Sequence, residues 1–144
     1  HDLVWLQDRI LEASAKHGVS VVFVDHLHFL FDLAKVRNTS IEIGQVIRFL
    51  KGMAIDLNIV IFVLCHMKKL NLDTEPTDAD FRDSSFVASE SDTGLILWRV
   101  KDSPNQAFLK VCYSRRTGVW EAKIPLVKVN GLLQEADLNN DYIQ

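Results

Sequence analysis

A chain of 144 residues suits one domain or most of one, and 48% hydrophobic with 24% charged residues is the balance of a folded globular protein, which excludes disordered and fibrous classes. The net charge of −3 excludes a wholly basic nucleic-acid glove, so any contact with nucleic acid falls to local clusters of cations. Cys65 and Cys112 both sit inside strand-like runs and read as buried free thiols of a reducing compartment, not as a disulfide framework.

The chain opens on His1 rather than Met, and Leu3, Leu6, Ile10 and Ala13 already run at helical spacing, the pattern expected of a chain that begins inside a longer protein; a trimmed tag or an incomplete reading frame gives the same pattern. Residues 2–17 predict an amphipathic helix closed by Gly18. Val19 to Val24 is a Val-rich apolar run, the pattern of a strand buried on both faces of a parallel sheet, and it ends at Asp25. Ala34 to Ser40 is mostly polar and reads as a loop. Val46, Ile47, Leu50, Met53, Ala54 and Leu57 mark a second helix, with Asn58 as its stop. Ile59 to Cys65 is a second continuous strand ending at His66, and even this run is far shorter than the roughly 20 residues of a membrane helix. No signal peptide is visible.

Residues 67–81 are polar and contain Pro76, which predicts a long loop, of the length that is usually functional or mobile. A short helix is expected over Ser84 to Glu90 and a third strand over Gly94 to Val100. Ala107 to Tyr113 then alternates, Val119 to Val129 alternates in part, and Ser114 to Gly118 between them is turn-like. Asn130-Gly131 is a two-residue hairpin signal. With no repeat, low-complexity tract or linker, the prediction is a single α/β domain over 1–144, with a mainly parallel sheet flanked by helices and antiparallel hairpins at its C-terminal edge.

Three residues stand where such a fold does chemistry. Asp25 ends a buried strand, at the carboxyl edge where open α/β sheets bind ligands; in nucleotide hydrolases of this kind a carboxylate there holds the Mg²⁺ shell. His66 repeats the pattern after the second strand and could hydrogen-bond a γ-phosphate. Arg115, in Ser114-Arg115-Arg116-Thr117-Gly118 at a hairpin tip, suits a guanidinium offered to a neighbouring subunit's nucleotide. Each has an ordinary alternative: a strand-end Asp, a partly buried His bonded to backbone, a solvated Arg. Lys35, Arg37, Lys68 and Lys69 lie on the loops after the two strands, where cations would meet phosphates. Asp25-His26-Leu27-His28 with His66 also allows a metal-dependent hydrolase, although no full set of ligand spacings is present.

Taken in order, these segments resemble one family. Val22-Phe23-Val24-Asp25-His26-Leu27 resembles the Walker B motif of DnaB-type and phage-type hexameric helicases. Ile41 to Met67 is similar to the family's next block, with His66-Met67-Lys68 in the form found in phage helicase-primases and the related mitochondrial helicase. Asp80-Phe81-Arg82-Asp83-Ser84-Ser85, with Glu90-Ser91-Asp92 beyond, resembles the block beside the DNA-contacting loops, and 114–118 resembles the hairpin bearing the arginine finger. The resemblance spans about residues 3 to 135 and implies a partial RecA-like P-loop core. It implies ATP and Mg²⁺ as cofactors and single-stranded DNA as partner, with Arg82 joining the DNA-binding residues. It also implies a hexameric ring and a cytoplasmic site in a bacterial or phage-infected cell.

Two departures matter. The family's Lys two positions before the finger is Tyr113 here, which puts coupling between subunits in question. No Gly-x-x-x-x-Gly-Lys-Ser/Thr occurs anywhere in the chain, so this piece alone is expected to be inactive, and the interrupted sheet is expected to fill its gap by dimerising or by repacking. Other classes that share parts of the pattern are a recombinase or clock-type ATPase of the RecA superfamily and a non-catalytic assembly module.

Overall fold

The computed structural model describes residues 3–27, 39–68, 74–81 and 84–137. They fall into two compact units, one drawn from residues 1–68 and 81–91, the other from 69–80 and 92–144.

The first unit begins with helix α1, Leu3–His17. Leu3, Leu6 and Ile10 put its apolar stripe on the core, and Ile10 is buried. Gly18 ends it at φ 61°, and its N–H donates to the Ser14 carbonyl at 3.0 Å. Helix α2, Thr39–Asp56, supplies Ile43, Val46, Ile47, Leu50 and Met53 to the same core. Asn58 stops it in the left-handed region at φ 52°, and the Ile59 N–H reaches back to the Ala54 carbonyl at 3.0 Å. Helix α3, Ser84–Glu90, packs on α2 where Gly44 has no side chain: a Cβ there would lie 2.9 Å from the Phe86 ring.

Strands β1, Val21–Val24, and β2, Val60–Val63, pair in parallel with Val21 opposite Val60 and Val24 opposite Val63. Both are shorter than the apolar runs that predict them. Hydrogen bonds extend the pairing at each end: Val60 N–H to the Ser20 carbonyl at one, and Leu64 N–H to the Val24 carbonyl with Leu27 N–H to the Leu64 carbonyl at the other. Burial on both faces is not observed. Val22, Ile61 and Val63 pack on the core, whereas Val21, Val60, Phe62 and Leu64 are exposed on the other face, with Phe23 at 68%. Ile10 of α1 and the apolar stripe of α2 belong to one core cluster, so both helices serve the same face.

The second unit is a four-stranded antiparallel sheet, ordered β3-β4-β5-β6. Its strands are β3 (Thr93–Arg99), β4 (Gln106–Ser114), β5 (Trp120–Val129) and β6 (Leu132–Glu135). Thus the expected third strand pairs with β4, and among the described residues parallel pairing belongs to β1 and β2. Asn130 at φ 51° and Gly131 at φ 85° form the left-handed pair that a two-residue hairpin requires. Within the predicted loop, Pro76 is fully buried and Asp78–Asp80 is one 3-10 turn. The turn is capped by the Asp80 carboxylate, which accepts from both the N–H and the hydroxyl of Thr77.

Candidate functional site

Parallel pairing brings the ends of β1 and β2 to one edge. Asp25 follows Val24 directly, and its carboxylate is exposed. His26, joined to Asp25 by a cis peptide, lies with Nδ1 3.8 Å from Asp25 Oδ1. The His26 ring meets the His66 ring edge-on, with centroids 4.3 Å apart. Asp25 and His66 therefore belong to one cluster with His26 between them. The sequence pattern points to the outer two for nucleotide chemistry and to His26 only as a metal ligand. The signal for its bridging place is its position directly after the strand-end carboxylate.

Among the described residues, no group of three or more His, Cys, Asp or Glu side chains could hold a metal ion. His28 lies outside the described residues, so the metal-hydrolase pattern is represented only by Asp25, His26 and His66. One exposed carboxylate fits a different mode: Mg²⁺ keeps most of its waters and is bound by one or two carboxylates plus substrate phosphates.

Met67, just after His66, forms a bridge with the buried Phe81, so the two ends of the intervening loop meet. Lys68 sits at the start of that loop and is exposed. Lys35, Arg37, Lys69 and Arg82 lie outside the described residues.

Arg115 opens the β4–β5 turn and is exposed. The turn is well tied: Gly118 N–H donates to the Ser114 carbonyl at 2.9 Å, and Ser114 N–H donates to the Val119 carbonyl at 2.8 Å. The Arg115 N–H donates to the Asp92 carbonyl at 2.9 Å. Tyr113, standing where a cation was expected, faces the core at 3% exposure. Its ring lies against Gly94 and 6.0 Å from the Trp120 ring. Cys65 and Cys112 are free thiols, and burial pushes both up to about 11.

A family model for the DnaB-like helicase C terminal domain matches residues 2–128. The replicative DNA helicase DnaB of Rickettsia felis is 26% identical over 97 residues, 65% of this chain and 20% of that protein. A probable plasmid replicative DNA helicase of Chlamydia psittaci is 30% identical over 112 residues, 76% of this chain and 24% of that protein. The chain therefore spans about a fifth to a quarter of the length of these curated relatives. Among solved structures, an isolated ATPase domain superposes with a TM-score of 0.72 at 22% identity, covering 93% of this chain and 50% of that one. A DnaB-like replicative helicase, solved in a study of its interactions with primase, superposes with a TM-score of 0.68 at 23% identity, covering 88% and 32%.

Proposed function

Because this chain belongs to the DnaB-like helicase C-terminal domain family, with the α/β fold of helicase ATPase domains, we propose that it is part of an ATP-driven replicative DNA helicase. The observation that carries this reading is the meeting of Asp25 and His66, through His26, at the carboxyl edge of two parallel strands. Such an edge is where a phosphoryl group is handled in open α/β sheets.

On this reading each residue has one task. Asp25 would hold the water shell of a Mg²⁺ ion that arrives with ATP; the ion neutralises charge on the phosphates and the nucleotide supplies the free energy. His66, on the neighbouring strand, would hydrogen-bond the γ-phosphate and, through Met67, pass its presence to the following loop. Arg115 would reach a neighbouring subunit's nucleotide in a hexameric ring, where a guanidinium stabilises charge as the phosphoryl group transfers. Lys68, with Lys35, Arg37, Lys69 and Arg82, would meet the backbone of single-stranded DNA. The chain carries no glycine-rich phosphate loop, so by itself it lacks the backbone amides and Lys that cradle β- and γ-phosphates.

A chimera tests this. The chain replaces the corresponding segment of the Rickettsia felis helicase, which supplies the remainder of the protein. The isolated chain should show no ATPase activity, and the chimera should show DNA-stimulated hydrolysis. Asp25→Ala and Arg115→Ala should each lower kcat by about a thousandfold or more, the scale of removing a phosphoryl-transfer group. Mixed rings of the two variants should recover part of the rate, because each contributes what the other lacks. A chimera that hydrolyses ATP equally well with Asp25→Ala would sink the assignment.

A further inference from the structure

The second unit contains a lysine out of place. Lys110 lies in the middle of β4 at 4% exposure, where the strand presents a buried position. An ammonium removed from water there requires carboxylates. It has two: Glu121 of β5, and Glu75, 3.3 Å away, from the loop that follows His66. The second oxygen of Glu75 takes Lys123 of β5 at 2.7 Å. Lys110 and Lys123 are register partners across β4 and β5, so two cations and two anions form one neutral cluster. The Lys123 ammonium also lies 4.2 Å from the Phe108 ring centroid. Glu121 takes φ 56° inside β5, a left-handed conformation uncommon for a side chain of its size, and its carboxylate is the one that meets Lys110.

Three members of the cluster belong to the hairpin. Glu75 alone comes from outside it. Beside Glu75, Pro76 is fully buried, and the 3-10 turn at Asp78–Asp80 is held by its own cap. The hairpin's other end is tied as well, through the Arg115 N–H and the Asp92 carbonyl.

We infer that Glu75 is a positioning residue that couples the loop downstream of His66 to the β4–β5 hairpin carrying Arg115. That this coupling serves a nucleotide cycle rests on the reading proposed above; the coupling itself does not. Made neutral, Glu75 would leave Lys110 with Glu121 alone and Lys123 without its ion pair, so one positive charge of the cluster would lose its compensation. The loop would then lose its charged tie to the hairpin.

Acid should act in the same direction. The Lys123 ammonium, with Lys110 adding to it against the opposing effect of burial, holds the Glu75 carboxyl below its usual range. A depressed carboxylate contributes fully above its unfolded value and loses that contribution as pH falls through its folded value. The charged groups facing Glu75 are Lys110 from β4 and Lys123 from β5; Arg99 at the end of β3 and Lys101 beyond it line the same shallow pocket. Glu121 is the second carboxylate of the cluster, so a variant, rather than acid alone, must identify Glu75.

The test is hydrogen–deuterium exchange by mass spectrometry on the chain without nucleotide, which keeps its outcome separate from that of the ATPase chimera. At neutral pH, Glu75→Gln and Lys123→Met should each speed exchange in both 74–80 and 114–119 by about tenfold through local opening, leaving α2 and β1–β2 unchanged. Glu75→Asp should restore part of the protection. Acidified wild type, corrected for intrinsic rates, should show the same paired rise, and Glu75→Gln should not. Loosening of 74–80 with an unchanged hairpin, or no change in either, overturns the proposal. If Glu75→Gln loosens the entire chain, the wild-type acid series decides: paired loosening ahead of α2 supports the coupling, and any other order overturns it.

Discussion

Tyr113 occupies the place of an expected cation, and the structure gives the physical reason it cannot be read as one. Its ring is buried over Gly94, so close that a Cβ at that glycine would stand 2.5 Å from the ring. The contact sits at the register shift between Gly94 and Leu95, where β3 yields to the ring. Aromatic packing of this kind needs the missing side chain on β3 as much as the ring on β4. Gly94→Ala is therefore expected to destabilise the chain by about 1–3 kcal/mol, the scale of overpacking a tight core. The measurement is the urea midpoint, and Tyr113→Leu in the same background should recover part of the loss. An unchanged midpoint for Gly94→Ala would show that the ring moves aside freely. Two positions on, Arg115 is the exposed cation that opens the turn.

At the scale of elements, the turns report their own conformations. Gly131 at φ 85° closes β5 onto β6, and β6 is exposed along its length, so the turn carries more of that pairing than packing does. Gly131→Ala forces a Cβ into the left-handed region and should cost about 1 kcal/mol, with faster exchange confined to 126–135. Equal protection of β6 in both proteins would show that packing holds it after all. The ends of α1 and α2 and this hairpin were legible in the sequence for one reason: Gly18, Asn58 and Asn130-Gly131 act through local backbone geometry. Asp25 and His66 were legible because a strand end carries its next polar residue to the sheet's edge. Their meeting through His26 was not, since it depends on the register of two strands far apart in the chain. Neither was the Glu75–Lys110 pair, whose partners stand 35 residues apart and whose lysine breaks the apolar pattern of a buried position.

At the scale of the whole molecule, the continuous apolar runs of β1 and β2 predict cover on both faces, and the described residues provide it on one. The uncovered face is contiguous rather than scattered. Val21 lies opposite Val60, Phe23 lies opposite Phe62 with the rings stacked at 4.9 Å, and Leu64 continues the row. The two strands also form a sheet of only two among the described residues, which leaves backbone groups at both edges without a strand partner. A patch and edges of this kind draw molecules together, because burying apolar area against any matching surface is favourable and is not directional. The isolated chain should therefore show an apparent mass that rises with concentration in sedimentation. Phe23→Lys should hold it as a monomer at the same concentrations. It should do so at little cost in stability, since Phe23 is 68% exposed and its removal takes little buried area from the fold. Wild-type chain that stays monomeric throughout would show that this exposed face does not drive association. A Phe23→Lys chain that still associates would move the contact to the open edges, where backbone rather than side chains makes the bonds.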